Sequence, residues 1–428
     1  MRALVILLAV VGYVVHAGAA PPIVVSSASD LQGAVVPANS GRTILVLAGD
    51  YEVSQTLVVP DGATLVGEGV MKLAEGGLPA GFRTGTRTTL RSAATLLGDI
   101  VNLGNGATLS RLAIEDLPAR LGGNLVVVSS RRPDDVVSAT VDDCELVNPN
   151  GAGIGFNGPS GRGLLVITRN PLQLNPPAPH AGAVVAVQMR GSIVHSPGNG
   201  TGIFAINFAP NAEISVDLQR NVIGGGLDAS GGVSRPVSVV GAATRISSRG
   251  NLYRGDNDES PADVGWRLNG GSGPPVAVFT VGSTSDNLLS MDSTEDRIEG
   301  FNYGIHAWGG ERFFGPPTAG TSDRNRTELL LRGTSIESLL GDLLLFGAVA
   351  PSQDVAPGDG NVLHAQLRGV GGSGAPDNLY ANVIGPGGVL NGAVAGFSNR
   401  LRIDGNRVSV LRRGVTPPPP AEFFVAPE

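Results

Sequence analysis

Short apolar stretches alternate with polar or glycine-containing turns along the chain. Between residues 43 and 66 this alternation is clearest: apolar stretches cover residues 43–47, 56–59 and 64–66, and predicted turns at 48–51 and 60–62 separate them. Strands this short with tight turns between them cannot lie edge to edge in one long sheet. The pattern therefore predicts a chain that winds around a triangle, so that each side pairs with the coil before and the coil after it.

A different periodicity precedes these strands. Leu31, Ala34, Val35 and Ala38 follow the i, i+3, i+4, i+7 spacing of an amphipathic helix. Ser29 with Gln32, three residues later, predicts a capping box at the start of that helix. The sequence therefore predicts one short helix that ends near residues 37–41.

A turn motif recurs along the rest of the chain. Each copy has a strand end, a polar or glycine pair, a small or Asn residue, and a new apolar stretch. The residues at the fourth position of the copies are Cys144, Ser192, Asn221, Asn251, Thr334 and Asn406. Asn tolerates a left-handed turn and bonds neighbouring backbone, so we expect stacked turn residues to hydrogen-bond one another. The irregular spacing indicates a solenoid with loops of variable length.

A second recurring element is a Gly-Ile pair that opens a strand. It occurs at residues 153–154, 202–203 and 304–305. Glycine at the start of a strand marks a tight bend or a close approach of two backbones. We expect these pairs at the corners of the coils.

Composition agrees with this architecture and excludes several classes of protein. The 428 residues include 63 Gly and 30 Pro, a density that excludes long helices. A hydrophobic fraction of 42% excludes a disordered chain, and a net charge of −7 gives no basic surface for nucleic acid. Cys144 is the single cysteine, so the chain forms no internal disulfide and no cysteine-based metal site.

The N-terminus has the features of a secretory signal. Arg2 supplies the positive charge, residues 3–15 the apolar segment, and Ala17-Gly18-Ala19 the cleavage site. We expect cleavage after Ala19 and a monomeric protein that is secreted or periplasmic, with no membrane span after cleavage. The predicted organisation is a signal peptide at 1–19, one β domain at 20–413 and a proline-rich tail at 414–428.

The segment from Asp30-Leu31-Gln32 through residues 43–51 to Gly67-Glu68-Gly69 resembles the opening of pectin-lyase-like proteins. The Gly-Ile strands and Asn turns are similar to the repeat of that superfamily. The resemblance implies an all-β fold, a right-handed single-stranded parallel β-helix of roughly ten coils with a short N-terminal capping helix. It leaves the activity open, because one fold carries many functions.

Family enzymes that cleave polyuronates imply a set of motifs that this chain does not reproduce. It has no His-Gly pair, and its one lysine, Lys72, lies far upstream of the other candidates. Arg297, Glu299 and His306 are the candidates for proton transfer. The sequence therefore favours an exported, non-catalytic glycan-binding or cell-envelope scaffold protein. The alternative is a polysaccharide lyase or glycoside hydrolase that acts on acidic polysaccharide.

Five aromatic residues fall within fourteen positions near these candidates, namely Phe301, Tyr303, Trp308, Phe313 and Phe314. In a strand over 301–307, Asn302 and His306 would face outward, and Trp308 would follow them on that side. An exposed Trp beside Asn and His predicts a platform on which a sugar ring stacks. The alternative is that these rings fill a wide coil.

One acidic cluster resembles the start of a calcium loop, with Asp256, Asp258 and Glu259 as candidate ligands. No glycine follows at the sixth position, and Arg267 stands where the loop needs a glutamate. We therefore predict no metal and no cofactor, and keep Ca²⁺ at this cluster as the alternative.

Overall fold

The structure is a computed structural model. It describes residues 20–118, 120, 123–149, 162–169, 180–196, 201–234, 238–255, 264–269, 283–311, 321–349, 358–372, 379–385, 388–390 and 407–413. The predicted signal peptide and proline-rich tail lie outside the described residues. So do the Gly-Ile pair at 153–154, Asn406, Phe313, Phe314 and the candidate calcium ligands Asp256, Asp258 and Glu259.

The described residues are nearly all β-structure, with one α-helix, α1 (Ala28–Ala34), and two short 3-10 turns, Pro37–Asn39 and Glu75–Gly77. The strands in chain order are β1 Ile23–Val25, β2 Thr43–Val46, β3 Gly49–Val53, β4 Leu57–Val59, β5 Thr64–Gly67, β6 Met71–Leu73, β7 Pro79–Phe82, β8 Thr88–Ser92, β9 Val101–Leu103, β10 Ala107–Ser110, β11 Ala113–Glu115, β12 Val126–Ser129, β13 Val136–Asp142, β14 Glu145–Val147, β15 Leu164–Ile167, β16 Val184–Arg190, β17 Ile193–His195, β18 Ile203–Ile206, β19 Glu213–Gln219, β20 Val222–Gly224, β21 Leu227–Ser230, β22 Val239–Val240, β23 Ala243–Arg249, β24 Leu252–Arg254, β25 Val264–Asn269, β26 Thr284–Ser285, β27 Leu288–Thr294, β28 Arg297–Glu311, β29 Ser322–Asp323, β30 Arg326–Arg332, β31 Ser335–Val349, β32 Val362–Arg368, β33 Gly371–Gly372, β34 Leu379–Gly385, β35 Gly388–Leu390 and β36 Arg407–Arg413.

Twelve parallel strands form one sheet, called sheet A, in the order β1-β2-β5-β10-β13-β16-β19-β23-β27-β30-β32-β36. Each strand pairs with the next one in this order, although other strands intervene in the sequence. We call each strand of sheet A, with the strands that follow it, a coil, and number the coils from β1. This order follows the chain, so each coil stacks on the one before it.

The strands between those of sheet A form a second sheet of 19 strands, called sheet B. It has two parallel columns, which merge in the long strands β28 and β31. The first column runs β3-β8-β11-β14-β17-β20-β24-β28-β31-β33, and the second β4-β9-β12-β15-β18-β21-β25-β28-β31-β34. A small sheet, β22-β26-β29, takes one strand from each of the three coils that begin with β19, β23 and β27. This stacking of parallel columns is the arrangement expected of a parallel β-helix.

The N-cap of helix α1 lies two residues earlier than predicted. Its N-cap is Ser27, whose side chain accepts a hydrogen bond from the backbone N–H of Asp30, so the predicted cap at Ser29 is wrong. Gln32 donates instead to the hydroxyl of Ser54, 3.1 Å away. Leu31 and Ala34 are buried as the periodicity predicts.

The predicted turn at 48–51 is also wrong, because β3 begins at Gly49 and pairs with β8. Tyr51 lies inside the fold, 4% exposed, and its hydroxyl donates to the carbonyl of Leu47, 3.0 Å away. Burial of this ring requires an extended backbone at 49–53. The chain therefore turns just before Gly49.

Alternation along the strands builds one long apolar core. In β19 every second residue is buried, and the same pattern holds in β16, β27 and β30. Large rings enter the core in the eighth coil, where Trp266 and Tyr253 are both fully buried and pack edge to face with ring centres 5.1 Å apart. Phe301 fills the next coil and is also fully buried.

The Gly-Ile pair at 202–203 opens β18, as predicted. A Cβ atom at Gly202 would lie 2.2 Å from the carbonyl oxygen of Gly224 in the next coil, so no side chain fits there. The pair at 304–305 lies inside β28 instead of opening it, and a Cβ at Gly304 would be 2.3 Å from the Ile336 side chain. Close packing between coils, more than a turn, explains both glycines.

The predicted bonding between stacked turn residues is confirmed. Asn221 and Asn251 are buried, and the side-chain N–H of Asn221 donates to Oδ1 of Asn251, 2.9 Å away. Asn251 in turn donates to Asp296, a buried residue that the motif alignment missed, 3.1 Å away. Cys144 belongs to the same ladder and is fully buried, which raises the pKa of its thiol to about 12.

Asp296 is the next member of this ladder, a buried carboxyl that accepts from the backbone N–H of Asn251 at 2.7 Å and from the Ser293 hydroxyl at 2.6 Å. The Ser293 hydroxyl also lies 2.8 Å from the hydroxyl of Thr334, the turn residue of the following coil. Burial raises the pKa of Asp296, and the hydrogen bonds from Ser293 and Asn251 only partly offset that effect. A raised pKa in the folded state means that the fold is favoured when this group is protonated. Its contribution to stability is therefore present at low pH and is lost as the pH rises through the folded-state pKa.

We expect Asp296→Asn to raise the free energy of unfolding at pH 7 by about 1 kcal/mol, because a neutral amide continues the ladder without a buried charge. The gain should shrink as the pH falls through the carboxyl range. Urea unfolding of both proteins between pH 3 and pH 8 measures it. A gain that grows toward low pH would contradict the sign derived above.

Candidate functional site

The candidates predicted in β28 fall on two different columns of sheet B. Arg297 and Glu299 lie at the start of the strand, in register with Leu252 and Arg254 of β24. His306 lies in the second half, in register with Arg267 of β25. The structure therefore separates the histidine from the arginine and glutamate that were expected to work with it.

His306 is partly buried between aromatic rings. It packs edge to face with Trp308, with ring centres 4.8 Å apart, and with Phe346 at 5.6 Å. Burial, together with the charge of Arg267, lowers the pKa of His306 to about 3. The ring is therefore neutral near pH 7 and a weak proton acceptor, which is unsuited to general acid–base catalysis.

The expectation that Trp308 forms an exposed stacking platform is wrong. Trp308 is 5% exposed and Asn302 1% exposed, so both are buried. The reason is that the ring of Trp308 lies against His306. The backbone carbonyl of Trp308 accepts a hydrogen bond from the Thr327 hydroxyl, 2.7 Å away, which fixes the strand at this position. The alternative interpretation, in which the rings fill a wide coil, holds for Phe301.

A groove lies on the outer side of the first column of sheet B, where a hairpin projects over it. The hairpin consists of antiparallel β6 and β7, inserted between β5 and β8. Its tip, Glu75–Gly77, reaches the coil of Arg297. The groove has a volume of about 410 Å³. Its lining residues are Ala74, Glu75, Leu78, Pro79, Ala80, Gly81, Glu145, Ile193, His195, Val222, Leu252, Arg254 and Arg297.

The root of the hairpin is fixed by close packing. A Cβ atom at Gly67 or Gly69 would lie 2.4 or 2.6 Å from the carbonyl oxygen of Arg111, so the chain leaves the sheet at a point where only glycine fits. Phe82 is 8% exposed beside Gly69 and anchors the returning strand. The carboxylate of Glu68 accepts from the backbone N–H of Ala48 at 2.7 Å.

Two rows of outward residues form the sheet side of the groove. The first row contains, in register, Glu145, Ile193, Val222, Leu252 and Arg297. The same row continues outside the groove to Ala113 and Thr89. Ile193, Val222 and Leu252 give the floor an aliphatic character. His195 and Arg254, two residues further along their strands, flank this floor with polar groups.

Ionic contacts concentrate at the end of the groove nearest the hairpin root. Arg87 bridges Glu115 at 2.7 Å and Glu145 at 3.0 Å, and His195 lies 3.3 Å from Glu145. Burial alone would raise the pKa of Glu145, but the hydrogen bond from His195 and the charge of Arg87 outweigh burial and lower it. Glu145 is therefore an ionised, hydrogen-bonded carboxylate at neutral pH.

Cations lie at the opposite end of the groove. Arg254 donates to the Glu299 carboxylate at 2.8 and 3.1 Å. Arg297 is exposed and forms no ion pair with another described residue. An exposed guanidinium without a carboxylate partner in a groove is available to a ligand anion.

A second depression of about 540 Å³ continues the groove beyond the hairpin tip. The two depressions share Arg254. Its other lining residues are Gly255, Glu299, Gly300, Glu337, Ser338, Leu339 and Gly372. The concave surface thus extends from Glu145 in the fifth coil to Gly372 in the eleventh, about 29 Å at ~4.8 Å per coil.

Sequence reasoning missed Glu145, His195 and Arg254 as site residues, although the motif alignment contained a signal for them. Glu145 and Ile193 directly follow the turn positions Cys144 and Ser192. Residues one and three places after each turn position share one outward face of the first column. Comparison of these positions across the repeats would have brought Glu145, His195 and Arg254 together.

Within the described residues, no group of three or more His, Cys, Asp or Glu side chains is placed to hold a metal ion. None of the helices in the described part of the chain has the length and apolar character needed to cross a bilayer.

No protein-family model and no curated protein match this chain. Among solved structures it is similar to ORF18 of Geobacillus virus E2, with 12% identity, a TM-score of 0.37, and coverage of 83% of this chain and 56% of that one. It is also similar to PfbA, a surface adhesin of Streptococcus pneumoniae (13% identity, TM-score 0.28, coverage 83% and 86%). A third is a PL6-family polysaccharide lyase from Pseudopedobacter saltans (11% identity, TM-score 0.24, coverage 92% of both chains).

Proposed function

We propose that this chain is an exported, right-handed parallel β-helix that binds a linear, carboxylate-bearing glycan in the hairpin groove without cleaving it. The single observation that carries the proposal is a long groove with an aliphatic floor, charged walls and Arg297, which forms no ion pair with another described residue. An extended groove of this kind suits a linear polymer better than a compact ligand.

The lining chemistry matches both faces of a sugar. The C–H face of a pyranose ring packs on the half-buried side chain of Val222. Ile193 and Leu252 flank it on the neighbouring coils and are each 4% exposed, so they form the base of the floor. Hydroxyl groups bond to Glu145 and His195. Carboxylates bond to the guanidinium groups of Arg254 and Arg297, whose planar fork suits a carboxylate.

Binding without cleavage is favoured by the separation of the candidate catalytic groups. Arg297 and Glu299 lie on the first column of sheet B, whereas His306 lies on the second, with a pKa of about 3. The carboxylate of Glu145 is occupied by Arg87 and His195, and its lowered pKa makes it a poor general acid. A lyase or hydrolase remains the competing hypothesis.

The test is to incubate the purified protein with acidic, neutral and basic polysaccharides, with Ca²⁺ and with chelator. Binding and new chain ends are measured in the same samples. We expect acidic polysaccharides to bind, chelator to leave binding unchanged, and no unsaturated product or reducing end to accumulate. Product formation would support the enzyme hypothesis, and absence of binding to every polysaccharide would overturn the proposed site.

A further inference from the structure

We infer that the groove receives the end of a glycan chain and not an internal segment, because it is closed at the hairpin root and continues past the hairpin tip. This inference rests on the proposed function, since it specifies how the same groove is filled. Three sets of contacts support it.

The first set shows direct packing at the root. Thr89 and Ala113 belong to the same outward row as the groove floor, two coils and one coil before Glu145, respectively. They are 2% and 0% exposed, although they face away from the core. The outer face of the sheet is therefore covered at the third and fourth coils. Neither residue lines the groove, whose lining begins at Glu145 in the fifth coil.

The second set is an ionic network directly behind the first groove residue. Arg87 joins Glu115 to Glu145, and Arg91 lies 2.7 Å from Glu115. The side chains of Glu115 and Glu145 are 15% and 13% exposed. A polymer that passed this point would have to separate several partly buried charge pairs, which is costly because each charge would lose its partner.

The third set lies at the other end of the groove. Beyond the tip residues Glu75–Gly77, the depression that begins at Arg254 is lined by described residues of sheet B and its connecting turns, with none from the hairpin. A chain that starts against Glu145 and His195 can therefore leave past Arg254 toward Gly372. The exposed imidazole of His195 and the Glu145 carboxylate offer hydrogen bonds to the hydroxyl groups that only a terminal sugar presents.

The test compares one acidic polysaccharide at a fixed total mass but at two average chain lengths that differ tenfold. If the groove takes chain ends, the molar amount of protein bound at saturation rises about tenfold for the shorter chains, because the number of ends rises tenfold. An unchanged or smaller amount bound per unit mass would overturn end recognition. Failure of both samples to bind would overturn the proposed function itself, so the two failures are distinguishable.

A second measurement uses a short oligosaccharide of the same polymer that carries a bulky label at one end or at the other. We expect at least one labelled form to bind at least about tenfold more weakly than the unlabelled form, because the closed end has no room for the label. Equal binding of the two labelled forms and the unlabelled form would overturn the inference. The unlabelled oligosaccharide is the control for binding itself.

Discussion

Asn251→Ala is expected to lower the free energy of unfolding by about 4 kcal/mol, because it leaves several buried polar groups without partners. Oδ1 of Asn251 accepts from the backbone N–H of Asn221 at 2.8 Å and from its side-chain N–H at 2.9 Å. The Nδ2 group of Asn251 donates to the carbonyl of Leu218 at 2.9 Å and to the Ser248 hydroxyl at 2.8 Å. Alanine can replace none of these bonds, and Asn251 is 1% exposed, so water does not reach the orphaned groups.

Asn102→Ala is the matched control. Asn102 lies on β9 of the same fold, is half-buried, and its Oδ1 has no hydrogen-bond partner. Its removal should cost no more than about 0.5 kcal/mol. Urea unfolding followed by tryptophan fluorescence measures both variants, and Trp266 in the neighbouring column reports on the same coil. Equal losses in the two variants would contradict a structural role for the ladder.

The ladder is the part of the fold that the sequence predicts most directly. The residues at Cys144, Ser192, Asn221 and Asn251 share one local pattern, and each bonds to the next across a coil. Asp296 belongs to the same ladder but was missed, because its carboxyl replaces the expected amide and 45 residues separate it from Asn251. Because the loops between coils differ in length, the turn residues are unevenly spaced in the sequence, although they stack on successive coils in the structure.

The hairpin could not be foreseen, because glycine has two uses that look alike in a sequence. Gly67-Glu68-Gly69 directly follows the strand predicted at 64–66 and looks like a turn, whereas Gly67 and Gly69 permit close contact with Arg111 where the hairpin leaves the sheet. Nothing in the local pattern of residues 70–83 states which coils this insertion covers. Which coils the hairpin covers depends on how the strands beneath it stack, and the local sequence of the hairpin does not determine that stacking.

The predicted exposure of Trp308 failed for a physical reason as well, although the predicted faces of the strand hold. Phe301 and Ile305 belong to the apolar core, whereas His306 and Trp308 do not. The irregular register of β28 with β31 ends at Tyr303, before these two residues. Strand periodicity also assumes a solvated outer face, whereas Trp308 on the second column is covered. Arg297 and Glu299, which precede the irregularities, are exposed and half-buried, respectively.

The second large effect concerns ligand binding. We expect the double variant Arg254→Ala/Arg297→Ala to bind acidic polysaccharide about 30-fold more weakly than the unmodified protein, a loss of about 2 kcal/mol. Both guanidinium groups line the groove, and Arg297 has no carboxylate partner among the described residues. The loss should be smaller at high salt, because screening weakens the same contacts in the unmodified protein.

Arg245→Ala/Arg326→Ala is the matched control for this change. These arginines are exposed on sheet A in the eighth and tenth coils, where they pair with Glu213 at 3.3 Å and Glu328 at 2.6 Å. The control removes the same number of positive charges from the same solenoid, so it reproduces the change in net charge. It leaves the groove intact.

The most direct test of the groove as the binding site is a calorimetric titration. One acidic polysaccharide is titrated into the unmodified protein and into both double variants at the same ionic strength. The account predicts that Arg254→Ala/Arg297→Ala weakens binding about 30-fold while Arg245→Ala/Arg326→Ala changes it by less than about threefold. Equal weakening in the two variants, or undiminished binding by Arg254→Ala/Arg297→Ala, would contradict it.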